Sequence, residues 1–186
     1  VFFWNDPDKK RYRESYFEVF EGVWRHGDWV KLTSRNTVVI LGRSDATLNR
    51  DGVRIGTAEV YRALEQVPEV KDALVVFKEA TATSPSFMPL FVVLAEGANL
   101  DESLQAQICQ VLRKTYSPRH IPDAIFAVPE IPYTISGKKM ETPIKKMLMG
   151  IPAEKAAHKG AMRNPASLAF FAEWVDQYAS NSEKPR

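Results

Sequence analysis

One cysteine in 186 residues, Cys109, removes two classes of explanation at once. No internal disulfide can form, and no multi-cysteine zinc site can be assembled. Histidine is nearly as scarce, and His26, His120 and His158 lack the spacing that would bring them together as metal ligands. Neither sign of charge dominates: 25 Lys and Arg stand against 23 Asp and Glu, a net charge of +2. That balance argues against a nucleic-acid groove or an anionic membrane surface as the main partner. No run is long and apolar enough to cross a bilayer, and the first residues have no basic, then apolar, then small-residue secretory pattern. A lone thiol fits the reducing cytoplasm, which is the expected location.

What is present reads as a globular domain of ordinary core size, with 45% apolar and 26% charged residues. Trp29–Leu32 and Thr37–Leu41 are β-rich runs around the polar turn Thr33-Ser34-Arg35-Asn36, which predicts a hairpin. Thr57 is expected to cap a helix whose Val60, Leu64 and Val67 recur at helical spacing before Pro68. Two β-rich runs follow, Val70–Phe77 and Leu90–Leu94, joined by a polar loop. Asp101 is expected to open a helix with Leu104, Ile108, Val111 and Leu112 on one face, ahead of a strand over Ala124–Val128. Thr142-Pro143 and Asn164-Pro165 each read as a cap followed by a proline at the first helical position. The last helix, with Leu168, Phe171, Val175 and Tyr178 on one face, is expected to close the core of its own domain. A partner- or membrane-facing role is the alternative for it. Strands and helices in this mixed order make the fold class α+β.

Two segments carry chemistry. Pro132-Tyr133-Thr134-Ile135-Ser136-Gly137-Lys138-Lys139 sets a lysine on a glycine-containing loop after an apolar run. An ammonium on a flexible stem can there meet developing carboxylate or phosphate charge, so Lys138 is the candidate catalytic residue. It is no phosphate-loop lysine, because Pro132 and Lys139 occupy the places of the required glycine and Ser/Thr. A plain surface turn is the competing reading of the loop alone. Far upstream, Leu41–Val60 packs turn glycines, an Arg/Asp pair and a helix start into twenty positions.

In this order the two segments resemble the late motifs of the acyl-adenylate-forming enzymes, the AMP-dependent acyl-CoA synthetases, luciferases and peptide-synthetase adenylation domains. His26-Gly27-Asp28 is similar to the family's Gly-Asp motif, which implies that Asp28 accepts hydrogen bonds from the ribose hydroxyls of ATP. Gly42-Arg43-Ser44-Asp45 is similar to its hinge motif, implying that Arg43 also reaches the nucleotide and that Asp45 is the pivot between two domains. Gly52-Val53-Arg54 implies space for CoA at Gly52 and a nucleotide-phosphate role for Arg54. Arg113 stands where short-chain members place an arginine against CoA phosphate, and Lys138 matches the adenylation lysine. Each has a plainer alternative: a turn for Asp28, a surface ion pair for Arg43 and Asp45, a solvent-facing arginine for Arg113.

Within the short-chain group the resemblance narrows to the acetoacetyl-CoA synthetases. It is carried by Phe3–Asp8, Val23–Trp29, Ser117–Asp123 and Ser136–Glu141, and by the long extension past Lys138. Ala46, Asn49 and Glu141 depart from the wider family and look ordinary in this group, whereas Asp51 is less usual. The resemblance implies an ATP-dependent acid–thiol ligase using acetoacetate, Mg-ATP and CoA as substrates, with no tightly bound prosthetic group and no metal site of its own. It also implies a fragment, since no Gly/Ser/Thr-rich phosphate-gripping loop and no acyl pocket segment occur in this chain. The expected layout is a remnant of the N-terminal adenylation domain over 1–43, a mobile C-terminal domain over 44–150 and a helical extension over 151–186. The expected partner is the rest of the adenylation domain, without which the chain should bind nucleotide weakly and catalyse little. Two alternatives stay open: a ligase for acetate or propionate, and a non-catalytic interaction module that kept the fold.

Overall fold

The computed structural model describes residues 3–44, 48–50, 52–82 and 84–182. The chain opens with α1 (Lys10–Tyr16), held by Asp6, whose carboxylate accepts from the Arg11 and Tyr12 amides at 3.1 and 3.0 Å. The antiparallel hairpin of β1 (Asp28–Leu32) and β2 (Val38–Arg43) follows where the sequence places it. Neither element has a core of its own. No residue of α1 is buried, and Trp4, Phe20, Val23, Trp24, Leu32 and Ile40 are each more than half exposed. A two-stranded hairpin is marginal by itself, and this part of the chain leaves much of its apolar surface exposed.

A second hairpin, β3 (Leu48–Arg50) with β4 (Val53–Ile55), leads into α2 (Thr57–Leu64). The cap of α2 is Gly56 rather than the expected Thr57: Glu59 reaches back to accept from the Gly56 amide at 3.0 Å, which satisfies an otherwise orphaned donor. The central sheet is β5 (Val70–Val75), β6 (Pro89–Leu94) and, after α3 (Glu102–Thr115), β7 (Ala124–Ala127). β5 runs antiparallel and β7 parallel to β6, so the sheet is mixed. Asp101 caps α3 as expected, accepting from the Leu104 amide at 2.8 Å.

The sheet is buried on both faces, which is why its strands read as continuous apolar runs rather than as alternating ones. Ala73, Val75, Leu90 and Val92 pack with Val60 and Leu64 of α2 and Leu104, Ile108 and Leu112 of α3. Leu74, Val76 and Phe91 point the other way, onto α4 (Glu141–Leu148), α5 (Ala153–Ala156) and α6 (Ala166–Ser182). In α6, Phe171 and Trp174 meet the Phe91 ring edge-on at 4.9 and 4.8 Å, and Tyr178 stacks on Phe87 at 4.7 Å. The last helix therefore closes the core of its own domain. Among the described residues no helix is long and apolar enough to cross a membrane.

Two expected caps are displaced. α4 begins at Glu141, with Thr142 and Pro143 already inside its first turn. Asn164 does not cap α6 with its side chain. Its oxygen instead accepts from the Tyr133 amide at 2.8 Å while its nitrogen donates to the Ile131 carbonyl at 2.8 Å, binding the start of the last helix to the segment that leads into the Lys138 loop.

Candidate active site

Asp28 begins β1 directly across from Arg43 at the end of β2. Its carboxylate is largely shielded and lies 2.8 Å from Nδ1 of His26. The preceding Gly27 has φ +87°, a left-handed conformation that suits glycine, and its carbonyl accepts from the Ser44 amide at 2.8 Å. The first motif and the start of the hinge motif are thereby locked side by side, although they stand fifteen positions apart in sequence. Asp45 lies outside the described residues.

The end of β2 is pressed onto the start of α2. A Cβ on Gly42 would meet Thr57 Oγ1 at 3.3 Å, and one on Gly56 would stand 2.1 Å from the Leu41 carbonyl oxygen. Gly56 is thus a close-approach glycine that sequence reasoning did not single out, since a lone glycine before a helix reads first as a cap. Arg54 on β4 is exposed, with its guanidinium 4.5 Å from the centre of the Trp29 ring on β1, a cation–π contact joining the two hairpins. Gly52, at the β3–β4 turn, has φ +78° and open space where a Cβ would stand. The hairpin is tied down through Arg50, which donates to the Ile121 carbonyl and, at 2.5 Å, to Asp123.

Lys138 is exposed on a tight loop between Tyr133 and Lys139, which pair as an antiparallel bridge. Gly137, φ +78°, makes the turn, and the loop closes through Thr134, whose amide donates to the Lys138 carbonyl at 2.9 Å and whose hydroxyl accepts from the Lys138 amide at 3.0 Å. The segment after α5 adds a further edge: Thr134 bridges Met162, and the Ile135 amide donates to Ala161 at 3.0 Å.

Beneath this loop lies a polar network that sequence reasoning missed. Lys139 Nζ donates to Asp72 Oδ1 at 2.6 Å and to the Ala73 carbonyl at 2.5 Å, and sits 4.1 Å from the centre of the Tyr61 ring. The Tyr133 hydroxyl donates to Asp72 Oδ2 at 2.8 Å. Tyr61 donates to Glu141 at 2.6 Å and accepts from the Val75 amide at 3.3 Å. Burial, reinforced by the Glu141 carboxylate, holds the Tyr61 phenol well above its ordinary range. Burial and the hydrogen bond to Asp72 likewise raise Tyr133. Glu141, where the wider family often has arginine, is thus the acceptor for a tyrosine of α2.

One helix connects the two halves of the site. Thr57 of α2 packs at Gly42, and Tyr61, one turn later on the same face, bonds beneath the Lys138 loop. Arg113 is not joined to this arrangement by any hydrogen bond or ion pair among the described residues. It is exposed on α3, where its charge partly offsets the burial that raises the Cys109 thiol.

Residues 59–138 match the family model described as AMP-binding enzyme C-terminal domain. The acetoacetyl-CoA synthetase of Caenorhabditis elegans is 45% identical over 92% of this chain and 24% of its own length. The acetoacetyl-coenzyme A synthetase of Rhizobium meliloti (strain 1021) is 45% identical over 92% of this chain and 26% of its own. The solved acetoacetyl-CoA synthetase from Streptomyces lividans superposes with a TM-score of 0.87 at 47% identity, covering 95% of this chain and 26% of that one. The chain therefore spans about a quarter of the length of the relatives it matches. The amide bond synthetase McbA from Marinactinospora thermotolerans, at 22% identity and a TM-score of 0.62, shares the fold.

Proposed function

We propose that the chain is the lysine-bearing C-terminal part of an AMP-binding, acyl-adenylate-forming ligase that makes acetoacetyl-CoA from acetoacetate, ATP and CoA, a reading its similarity to such enzymes supports. The observation that carries the reading is the Lys138 loop: an exposed ammonium raised on a glycine turn that is itself tightly bonded. The proposed partner is the remainder of an adenylation domain, and the exposed apolar face of α1 and the first hairpin supports it.

In the first half-reaction an oxygen of the acid attacks the α-phosphorus of ATP. A new oxygen–phosphorus bond forms, the bond to the β-phosphate oxygen breaks, and pyrophosphate leaves. Lys138 stands against the charge that builds in this step. Asp28 and Arg43 hold the ribose, and Arg54 the nucleotide phosphate. Among the described residues no group of three or more His, Cys, Asp or Glu is placed to hold a metal ion. In the second half-reaction the C-terminal domain, 44–150, turns about Asp45. Lys138 withdraws, and the Gly52 face admits CoA with Arg113 at its phosphate. The thiol sulfur then bonds to the acyl carbon as AMP departs. The 151–186 segment travels with this domain.

One preorganised electrostatic donor in a closed site contributes on the order of 3 kcal/mol, about a hundredfold in rate. The test is acid-dependent ATP/pyrophosphate exchange by the whole enzyme with acetoacetate, acetate, propionate and butyrate. Exchange selective for acetoacetate, reduced about a hundredfold or more by Lys138→Ala while thioester formation from supplied acetoacetyl-adenylate persists, is expected. Equal loss in both steps removes Lys138 from its role, selectivity for another acid changes the substrate, and no exchange with any acid leaves a non-catalytic module.

A further inference from the structure

We infer that Asp72, gripping Lys139 and Tyr133, is the positioning residue that aims Lys138 outward; the inference rests on the role proposed for Lys138. Three independent pieces of geometry support it. Tyr133 and Lys139 are bridge partners on opposite arms of the loop, so their side chains share one face of it, and Lys138, next to Lys139, is directed to the other. Both shared-face side chains end on the same carboxylate, Lys139 on Oδ1 at 2.6 Å and Tyr133 on Oδ2 at 2.8 Å, more than sixty residues away in sequence. Finally, β5 is bulged between Val70 and Asp72, a device that re-aims a side chain relative to the strand's alternation.

The chemistry explains why two adjacent lysines are not equivalent. Lys139 is bound to a carboxylate and a carbonyl and covers the Tyr61 ring, with about a fifth of its side chain exposed. Lys138 is solvent-exposed. If Lys139 were free, the loop could roll about its arms and exchange one ammonium for the other, because Gly137 offers little resistance to a change of backbone conformation. The Asp72 carboxylate removes that freedom by charge-assisted bonds to both arms, and does so without touching substrate.

The test uses the whole enzyme with Asp72→Asn, Lys139→Met and Tyr133→Phe, each checked for native circular dichroism. ATP/pyrophosphate exchange with acetoacetate is expected to slow about tenfold or more for the first two, which lose the Lys139–Asp72 ion pair, and about fivefold for Tyr133→Phe, which loses one hydrogen bond from an uncharged donor. Thioester formation from supplied acetoacetyl-adenylate is expected to stay within about twofold, a split that a purely structural defect would not produce. In the Lys138→Ala background Asp72→Asn should cause no further loss of exchange, since Asp72 acts only through that lysine. If Asp72→Asn fails to fold, Tyr133→Phe, which keeps its ring, carries the test. Equal loss of both half-reactions, or further loss in the Lys138→Ala background, overturns the inference. Unchanged exchange in Asp72→Asn and Tyr133→Phe beside an inactive Lys138→Ala overturns it while leaving the role of Lys138 intact; an active Lys138→Ala removes both.

Discussion

Replacing Tyr61 by Phe removes one oxygen and keeps the ring, so the loss it causes can be worked out atom by atom. The hydroxyl donates to Glu141 at 2.6 Å and accepts from the Val75 amide at 3.3 Å. A hydrogen bond to a charged acceptor contributes about 1.5–3 kcal/mol. The Val75 amide, in a strand whose residue is 1% exposed, is left without that acceptor, which adds about 1 kcal/mol at the long distance observed. The ring still fills its space and still faces Lys139, so no cavity term applies. The expected destabilisation is about 2–4 kcal/mol. In urea, with a slope of roughly 2 kcal/mol/M, the midpoint should fall by about 1–2 M at unchanged slope. pH gives a second readout. The folded Tyr61 phenol is raised above its unfolded value of about 10, so between the two values the folded state holds a proton the unfolded state has lost. Its stabilisation is complete below pH 10 and declines as pH rises above it. Wild-type stability should therefore drop more steeply above pH 10 than that of Tyr61→Phe. A loss under about 0.5 kcal/mol at pH 7, or parallel alkaline slopes, would refute the reasoning.

Three further outcomes are expected. Gly56→Ala puts a methyl 2.1 Å from the Leu41 carbonyl oxygen, and because backbone must move, thermal unfolding should show a loss of about 1–3 kcal/mol or more; an unchanged Tm would mean that α2 does not press on β2. Asp45→Pro, which fixes φ at the proposed pivot, should spare adenylation and block thioester formation in the whole enzyme, and normal CoA transfer would remove Asp45 from that role. Cys109, raised by burial, should react with iodoacetamide at pH 8 several-fold more slowly than a free thiol, and more slowly still in Arg113→Ala, which removes the charge that partly offsets burial. Equal rates in the two proteins would show that Arg113 does not reach the thiol electrostatically.

The sequence by itself determined the elements whose cause is local or periodic. Asp101 caps its helix because an aspartate at that place bonds an amide three residues on, and the hairpin, the three core strands and the apolar face of α6 follow from alternation or helical spacing. Lys138, Asp28 and Arg43 are proposed as site residues from motifs contiguous in the sequence, and the fold sets Asp28 across from Arg43. What only the tertiary structure decided is of another kind. Nothing in the order of residues pairs Asp72 with Lys139 and Tyr133, or Tyr61 with Glu141, since those bonds close across some sixty to eighty positions once the sheet and α2 are in place. Asn164 looked like a cap and instead clamps the segment leading into the Lys138 loop, because a long-range partner competed for the same side chain. Local chemistry marks where a charged group stands; which way it points is set by distant residues that fix its neighbours, here Asp72 and the side of the Lys138 loop that faces away from it.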